Sequence, residues 1–134
     1  VQTRFSANSG KMSAMKTTAK EMTPATIQAV ARYFHVLADP TRLTILNELR
    51  QSERNVGELA QLCGYTAANI SRHLSLLAQQ GVVSRTSQGN SVYYRIADAA
   101  VYELCDVVCG NIATHLQKQQ EEQQNLLAEV SGHR

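Results

Sequence analysis

A chain of 134 residues, 43% hydrophobic and without Trp, has room for one domain with a core of ordinary size. Its formal net charge of +2 excludes a global basic field as the basis of any polyanion binding. No stretch approaches the ~18–20 consecutive apolar residues of a membrane span, so no membrane partner is expected. No charged start followed by an apolar run marks export, and three cysteines make an odd set. They read as free thiols in a cytoplasmic protein.

Residues 1–22 are rich in Ser, Thr, Lys, Ala and Met with little periodicity, and read as a disordered tail. The reading places the native start at Met12 or Met15, with the residues ahead of it foreign to the native chain. Thr23-Pro24 then supplies an N-cap followed by proline at the first helical position. Ile27, Val30, Ala31, Phe34 and Leu37 form the apolar stripe of a first helix reaching about Ala38. Asp39-Pro40 repeats the start signal, and Leu43, Leu46 and Leu49 carry a second helix to about Gln51. Gln51-Ser52-Glu53-Arg54 is a polar loop.

Residues 55–96 organise the rest. Asn55 and Glu58 have the spacing of a capping box. The helix they open should bury Val56, Leu59 and Leu62 and stop at Gly64. Thr66 caps the next helix, whose Ile70, Leu74 and Leu77 share one face, and Gly81 ends it. Two helices joined by a glycine-containing turn predict a helix-turn-helix, the second helix entering a DNA major groove. Beyond Gly81 the period drops to two. Residues 82–87 and 91–96 read as strands around a three-residue loop, Gln88-Gly89-Asn90. The fold class expected is therefore mainly α with a β-hairpin wing: a winged helix-turn-helix spanning residues 23–120, with 121–134 as the end of a last helix and its tail.

Charge is distributed in a way that the small net value hides. Residues 59–97 contain Arg72, Arg85 and Arg95 and no Asp or Glu, while residues 98–134 carry two basic and six acidic side chains. Affinity for a duplex comes largely from neutralising phosphates, so the acid-free third is the one fit to face DNA. Thr66, Ala67, Asn69, Ser71, Arg72, His73 and Ser75 on the second helix, with Arg85, Asn90 and Arg95 on the wing, are the candidate contacts. Arg72 has the donor fork for a guanine edge and Asn69 the amide for an adenine. His73 reads as a donor to backbone or phosphate. Of Tyr93 and Tyr94, alternation sends one to the core.

A long last helix follows Asp98, with Val101, Leu104, Cys105, Val108, Ile112 and Leu116 in one stripe. A single small core is already supplied by the earlier helices. This stripe and Ile27, Val30 and Phe34 therefore call for a further partner, and a homodimer supplies it. Gly110 in mid-helix costs about 1 kcal/mol relative to Ala, a cost that a close helix crossing explains. Cys105 and Cys109 stand four apart, so both thiols leave one helix face. Such a pair can ligate a soft ion, with a third sulfur or nitrogen completing the site, or react with oxidants. Cys63 is the remaining sulfur. His35 and His115 suit the dimer interface, and His133 falls in the tail. No Gly-rich phosphate loop or nucleophile–base pair supports an enzyme.

Ala38-Asp39-Pro40-Thr41-Arg42-Leu43 with Ile45-Leu46 resembles the ADPTRL-x-IL segment of the ArsR/SmtB family of bacterial winged-helix repressors. Residues 70–77, ISRHLSLL, resemble that family's recognition helix, and Gly89 with Val92-Tyr93-Tyr94-Arg95 its wing. The resemblance covers residues 27–115. It implies a homodimeric transcriptional repressor that binds an inverted-repeat operator and leaves it when an inducer, often a metal or metalloid, binds. The family's Cys-x-Cys thiol site would begin at 55, where Asn55 and Gly57 stand instead. Of its last-helix zinc site only Asp98 remains, with Ala100, Asn111 and Thr114 at the other places. An inducer site at Cys105 and Cys109, with Cys63 a possible third ligand, would be a variant. It favours trivalent arsenic or antimony or a soft metal ion over zinc.

Overall fold

A computed structural model describes residues 21–132. The expected tail therefore lies outside the described residues up to position 20, as does His133. Helix α1 (Pro24–Leu37) is followed by α2 (Pro40–Leu49), strand β1 (Arg54–Asn55), α3 (Val56–Cys63), α4 (Ala67–Gln79), strands β2 (Val83–Gln88) and β3 (Ser91–Ile96), and α5 (Ala100–Gly132). The chain divides after Asp98 into two units, the second consisting of α5 and its lead-in.

Local chemistry sets the helix starts. Thr23 and Asp39 accept hydrogen bonds from the Thr26 and Arg42 backbone N–H groups, and each precedes a proline at the first helical position. The capping box is complete: Glu58 N–H donates to Asn55 Oδ1 at 2.8 Å, and Asn55 N–H to Glu58 Oε1 at 2.9 Å. Gly64 closes α3 at φ 76°, a left-handed conformation that a side chain would strain. Thr66 Oγ1 accepts from Asn69 N–H at 3.2 Å and opens α4.

The core of the first unit joins every element. Ile45, Leu59, Ile70, Leu74 and Leu77 are fully buried, with Val36, Leu37, Leu46, Leu49, Val82, Val83 and Tyr94 around them. Each such aliphatic side chain contributes about 1.5–3 kcal/mol. Of the two tyrosines, Tyr94 takes the core side. Two apolar residues expected inside are outside: Leu43 is 43% and Leu62 50% exposed. On α2 the buried positions are 42, 45, 46 and 49, so the inward stripe begins at Arg42 and turns Leu43 outward. On α3 Leu59 is the fully buried residue, with Val56 and Cys63 half-buried on either side.

The loop before α3 holds a short strand that hydrophobic patterning did not reveal. β1 pairs antiparallel with β3, Arg54 opposite Tyr94 and Asn55 opposite Tyr93, giving the sheet order β1-β3-β2. β2 and β3 pair from Val83–Ile96 to Gln88–Ser91. The hairpin loop is thus Gly89-Asn90, two residues and not three, with Gln88 in the ladder. Gly89 at φ 65° supplies the positive dihedral that tight hairpin turns require.

α5 runs 33 residues without a break, so residues 121–132 continue the helix. Val101 is its buried residue; Leu104 is half-buried, while Val108, Ile112 and Leu116 are exposed. Val101, expected at a dimer face, is 3% exposed. Among the described residues nothing lies within 4 Å of the position that a Cβ on Gly110 would take. No helix among the described residues is long and apolar enough to cross a membrane.

Candidate nucleic-acid interface

α4 divides cleanly. Ile70, His73, Leu74 and Leu77 face the core, and Ala67, Ser71, Arg72 and Ser75 face out, with Asn69 half-buried beside them. Thr66, at the cap, is exposed as well. The helix N-terminus, with its positive dipole end, is suited to a phosphate. Arg72 Nη2 donates to Asn69 Oδ1 at 2.7 Å, so these two side chains form one unit on the outer face.

The hairpin places Arg85, Asn90 and Arg95 at the surface. Arg95 Nε donates to Ser84 Oγ at 3.3 Å across the β2–β3 ladder, which steadies the guanidinium. At the far end Gln88 Nε2 donates to Glu53 Oε1 at 3.1 Å, tying the loop before β1 to the wing. Arg54 approaches Glu48 at 3.8 Å. A partly exposed pair of that length contributes little stability.

His73, expected among the DNA contacts, is buried and belongs elsewhere. Its Nδ1 accepts from Arg42 Nη1 at 3.0 Å. Arg42, itself buried, also donates through Nε to the Val36 carbonyl and through Nη2 to the His35 carbonyl at 3.3 Å. One guanidinium thus ties the C-terminus of α1 to α2 and to α4. Arginine has no lone pair to offer, so Nδ1 must be unprotonated and the ring carries its proton on Nε2. Sequence reasoning missed Arg42 as a structural centre. Its position at the head of the 42/45/46/49 stripe was the available signal.

Burial lowers the His73 pKa, and the positive charges of Arg42 and Arg72 add to this against the opposing pull of Asp39. An unfolded chain then takes up this proton at a higher pH than the folded one. The stability tied to neutral His73 is full above about pH 6.5 and is lost as pH falls through the lowered folded value. Urea unfolding at stepped pH should show stability declining below about pH 6.5, by up to about 1.4 kcal/mol per pH unit from this one proton. His73→Asn, which keeps an acceptor for Arg42 but cannot titrate, should flatten that part of the curve. An unchanged slope assigns the acid sensitivity to another group.

Cys63 is half-buried at the end of α3, where burial, and secondly Glu48, push its thiol pKa up. A thiol that resists ionisation is a poor ligand for a soft ion. On α5, Cys105 is half-buried and Cys109 exposed. Among the described residues no three His, Cys, Asp or Glu side chains stand close enough to hold a metal ion.

Two helices at a glycine-closed turn, followed by a hairpin whose return strand also pairs with β1, define a winged helix-turn-helix protein. A family profile described as "Bacterial regulatory protein, arsR family" matches residues 39–85. The chain is 43% identical over 84 residues to the HTH-type transcriptional regulator CmtR of Mycobacterium tuberculosis, covering 60% of this chain and 71% of that one. It is 38% identical over 74 residues to a probable mercury resistance operon repressor of Streptomyces lividans, covering 55% of this chain and 59% of that one. A solution structure of a homodimeric winged helix-turn-helix DNA-binding domain from Mycobacterium bovis, a possible ArsR-family regulator, superposes with a TM-score of 0.65 at 34% identity. That match covers 74% of this chain and 94% of that one. The chain belongs to the arsR family of bacterial regulatory proteins.

Proposed function

We propose that this chain is a homodimeric transcriptional repressor that holds an inverted-repeat operator through α4 and the β2–β3 wing. The observation that carries the reading is the outward face of α4, which, with the wing, presents Arg72, Arg85 and Arg95 in a run of 39 residues free of carboxylates. The homodimeric M. bovis neighbour supports the assembly. So do the exposed apolar side chains Ile27, Val30 and Phe34 on α1, and Val108 and Ile112 with the half-buried Leu104 on α5. Thr66, Ala67, Ser71, Arg72, Ser75, Arg85, Asn90 and Arg95 are the contacts to base edges and phosphates, with Asn69 bonded to Arg72 beside them. Half-sites about 10 bp apart, or a multiple, follow from two recognition helices on a two-fold axis.

Fluorescence anisotropy against duplex DNA at stepped salt tests the surface. Arg72→Ala should cost about 1–3 kcal/mol and relax preference at one base pair, whereas Arg85→Ala and Arg95→Ala should weaken all sequences alike and lower the salt slope by about one each. If all three variants keep the wild-type affinity and slope, the surface is misassigned.

The inducer is read as a thiophilic species, trivalent arsenic or antimony or a soft metal ion, engaging Cys105 and Cys109. The two thiols share a helix face, and the S. lividans relative is named for mercury resistance. A third sulfur or nitrogen would complete the site. The exposed Cys109 favours one second reading, oxidation or attack by reactive sulfur at the same pair. Either event acts by changing the packing of the last helices between subunits. The coupling required is about 1–3 kcal/mol, and it exists only if the inducer prefers the DNA-free dimer. Cys105→Ser/Cys109→Ser should bind operator normally and no longer release it on titration with As(III), Sb(III), Cd(II), Hg(II) or polysulfide. Cys63→Ser should still respond. A double variant that releases like wild type moves the sensor away from these thiols.

A further inference from the structure

Asn69 and Arg72 stand three apart on α4, one helical turn, and their side chains meet through the Arg72 Nη2–Asn69 Oδ1 hydrogen bond of 2.7 Å. The backbone of Asn69 is itself anchored, its N–H bonded to the Thr66 hydroxyl at the helix cap. No carboxylate occurs between residues 59 and 97 to compete for the guanidinium within that stretch. A long exposed arginine is thus held at one end by a short neutral amide whose own backbone is fixed.

We propose that Asn69 is a positioning residue for base recognition, orienting Arg72 to read a guanine instead of reading a base itself. The proposal rests on α4 being the DNA-reading helix. A guanidinium has five N–H donors, and Asn69 takes one of the two on Nη2. Whichever one it takes, a parallel pair remains: Nη1 with Nη2, or Nε with Nη2. Such a pair matches the O6 and N7 acceptors of guanine in the major groove. The amide does this without adding negative charge beside the phosphates. An aspartate would hold the arginine at least as firmly but repel the backbone. The adenine contact expected for Asn69 is replaced by this role.

The test starts from selection on a random duplex library with the full wild-type chain, which defines the half-site. Affinities are then measured for all four bases at each half-site position with wild type, Asn69→Ala, Arg72→Ala, the double variant and Asn69→Asp. Arg72→Ala should remove an about 5- to 150-fold preference for guanine at one position. Asn69→Ala should reduce the preference at that same position several-fold with the salt slope and melting temperature kept. The double variant should be no worse than Arg72→Ala alone. Asn69→Asp should restore the guanine preference while lowering affinity for every sequence. Loss at a different base pair, additive losses in the double variant, or no change in Asn69→Ala would overturn the positioning role while leaving DNA binding intact. Failure of wild type to enrich or bind any duplex in a salt-dependent way would overturn the role of α4 along with it.

Discussion

Arg42→Leu is expected to destabilise the winged-helix unit by about 3 kcal/mol or more, read as a fall in melting temperature of roughly 12–24 °C. The side chain donates to two carbonyls at the end of α1 and to His73 on α4, all from a buried position. A leucine fills much of the volume but leaves the His73 Nδ1 acceptor without its donor. Unsatisfied buried polar groups cost more than the bond they lost contributed. Arg42→Lys should recover little, because a single ammonium cannot span three acceptors set around a planar fork. A melting temperature within a few degrees of wild type for Arg42→Leu would mean that water replaces the arginine and that the three elements hold together by apolar contact alone.

Val108→Glu is expected to yield monomers whose affinity for a two-half-site operator falls by about 10²–10⁴-fold, the gain that linking two binding modules provides. Val108 is 47% exposed in the single chain, so a carboxylate there can reach solvent and its main effect reports on assembly. Leu104→Glu should act in the same direction, with some loss of fold because Leu104 is half-buried. Sedimentation at micromolar concentration separates the outcomes. A wild type that sediments as a monomer, or a Val108→Glu dimer with wild-type affinity, would place the interface elsewhere.

Much of the architecture is legible in the sequence because the signals are local. Thr23-Pro24, Asp39-Pro40, the Asn55/Glu58 box, Gly64 and Thr66 set backbone dihedrals or satisfy helix-end N–H groups within three or four residues. The helix boundaries follow from them. The exposed face of α4 was equally readable, since Ile70, Leu74 and Leu77 leave only one face to solvent and the local charge is all of one sign.

What sequence periodicity misassigned depends on residues far apart in the chain. Arg42 sits at an inward position of α2 because His73, 31 residues later, and two carbonyls of α1 supply its acceptors. Hydrophobicity assigned that face to Leu43, and no count of apolar residues identifies a cation whose partners arrive by folding. The same pairing withdrew His73 from the DNA-facing set. Strand β1 is two residues long, too short for any alternation to show, and exists because β3 offers it a free edge. The hairpin lost one loop residue for a similar reason: register across the ladder, and not composition, puts Gln88 opposite Ser91. The sequence by itself determined where the first four helices begin and which third of the chain is fit to meet phosphate, because those depend on neighbours within a few bonds or on summed charge. Tertiary structure alone decided which polar side chains turn inward, because a buried donor is tolerated only where the fold delivers its acceptors.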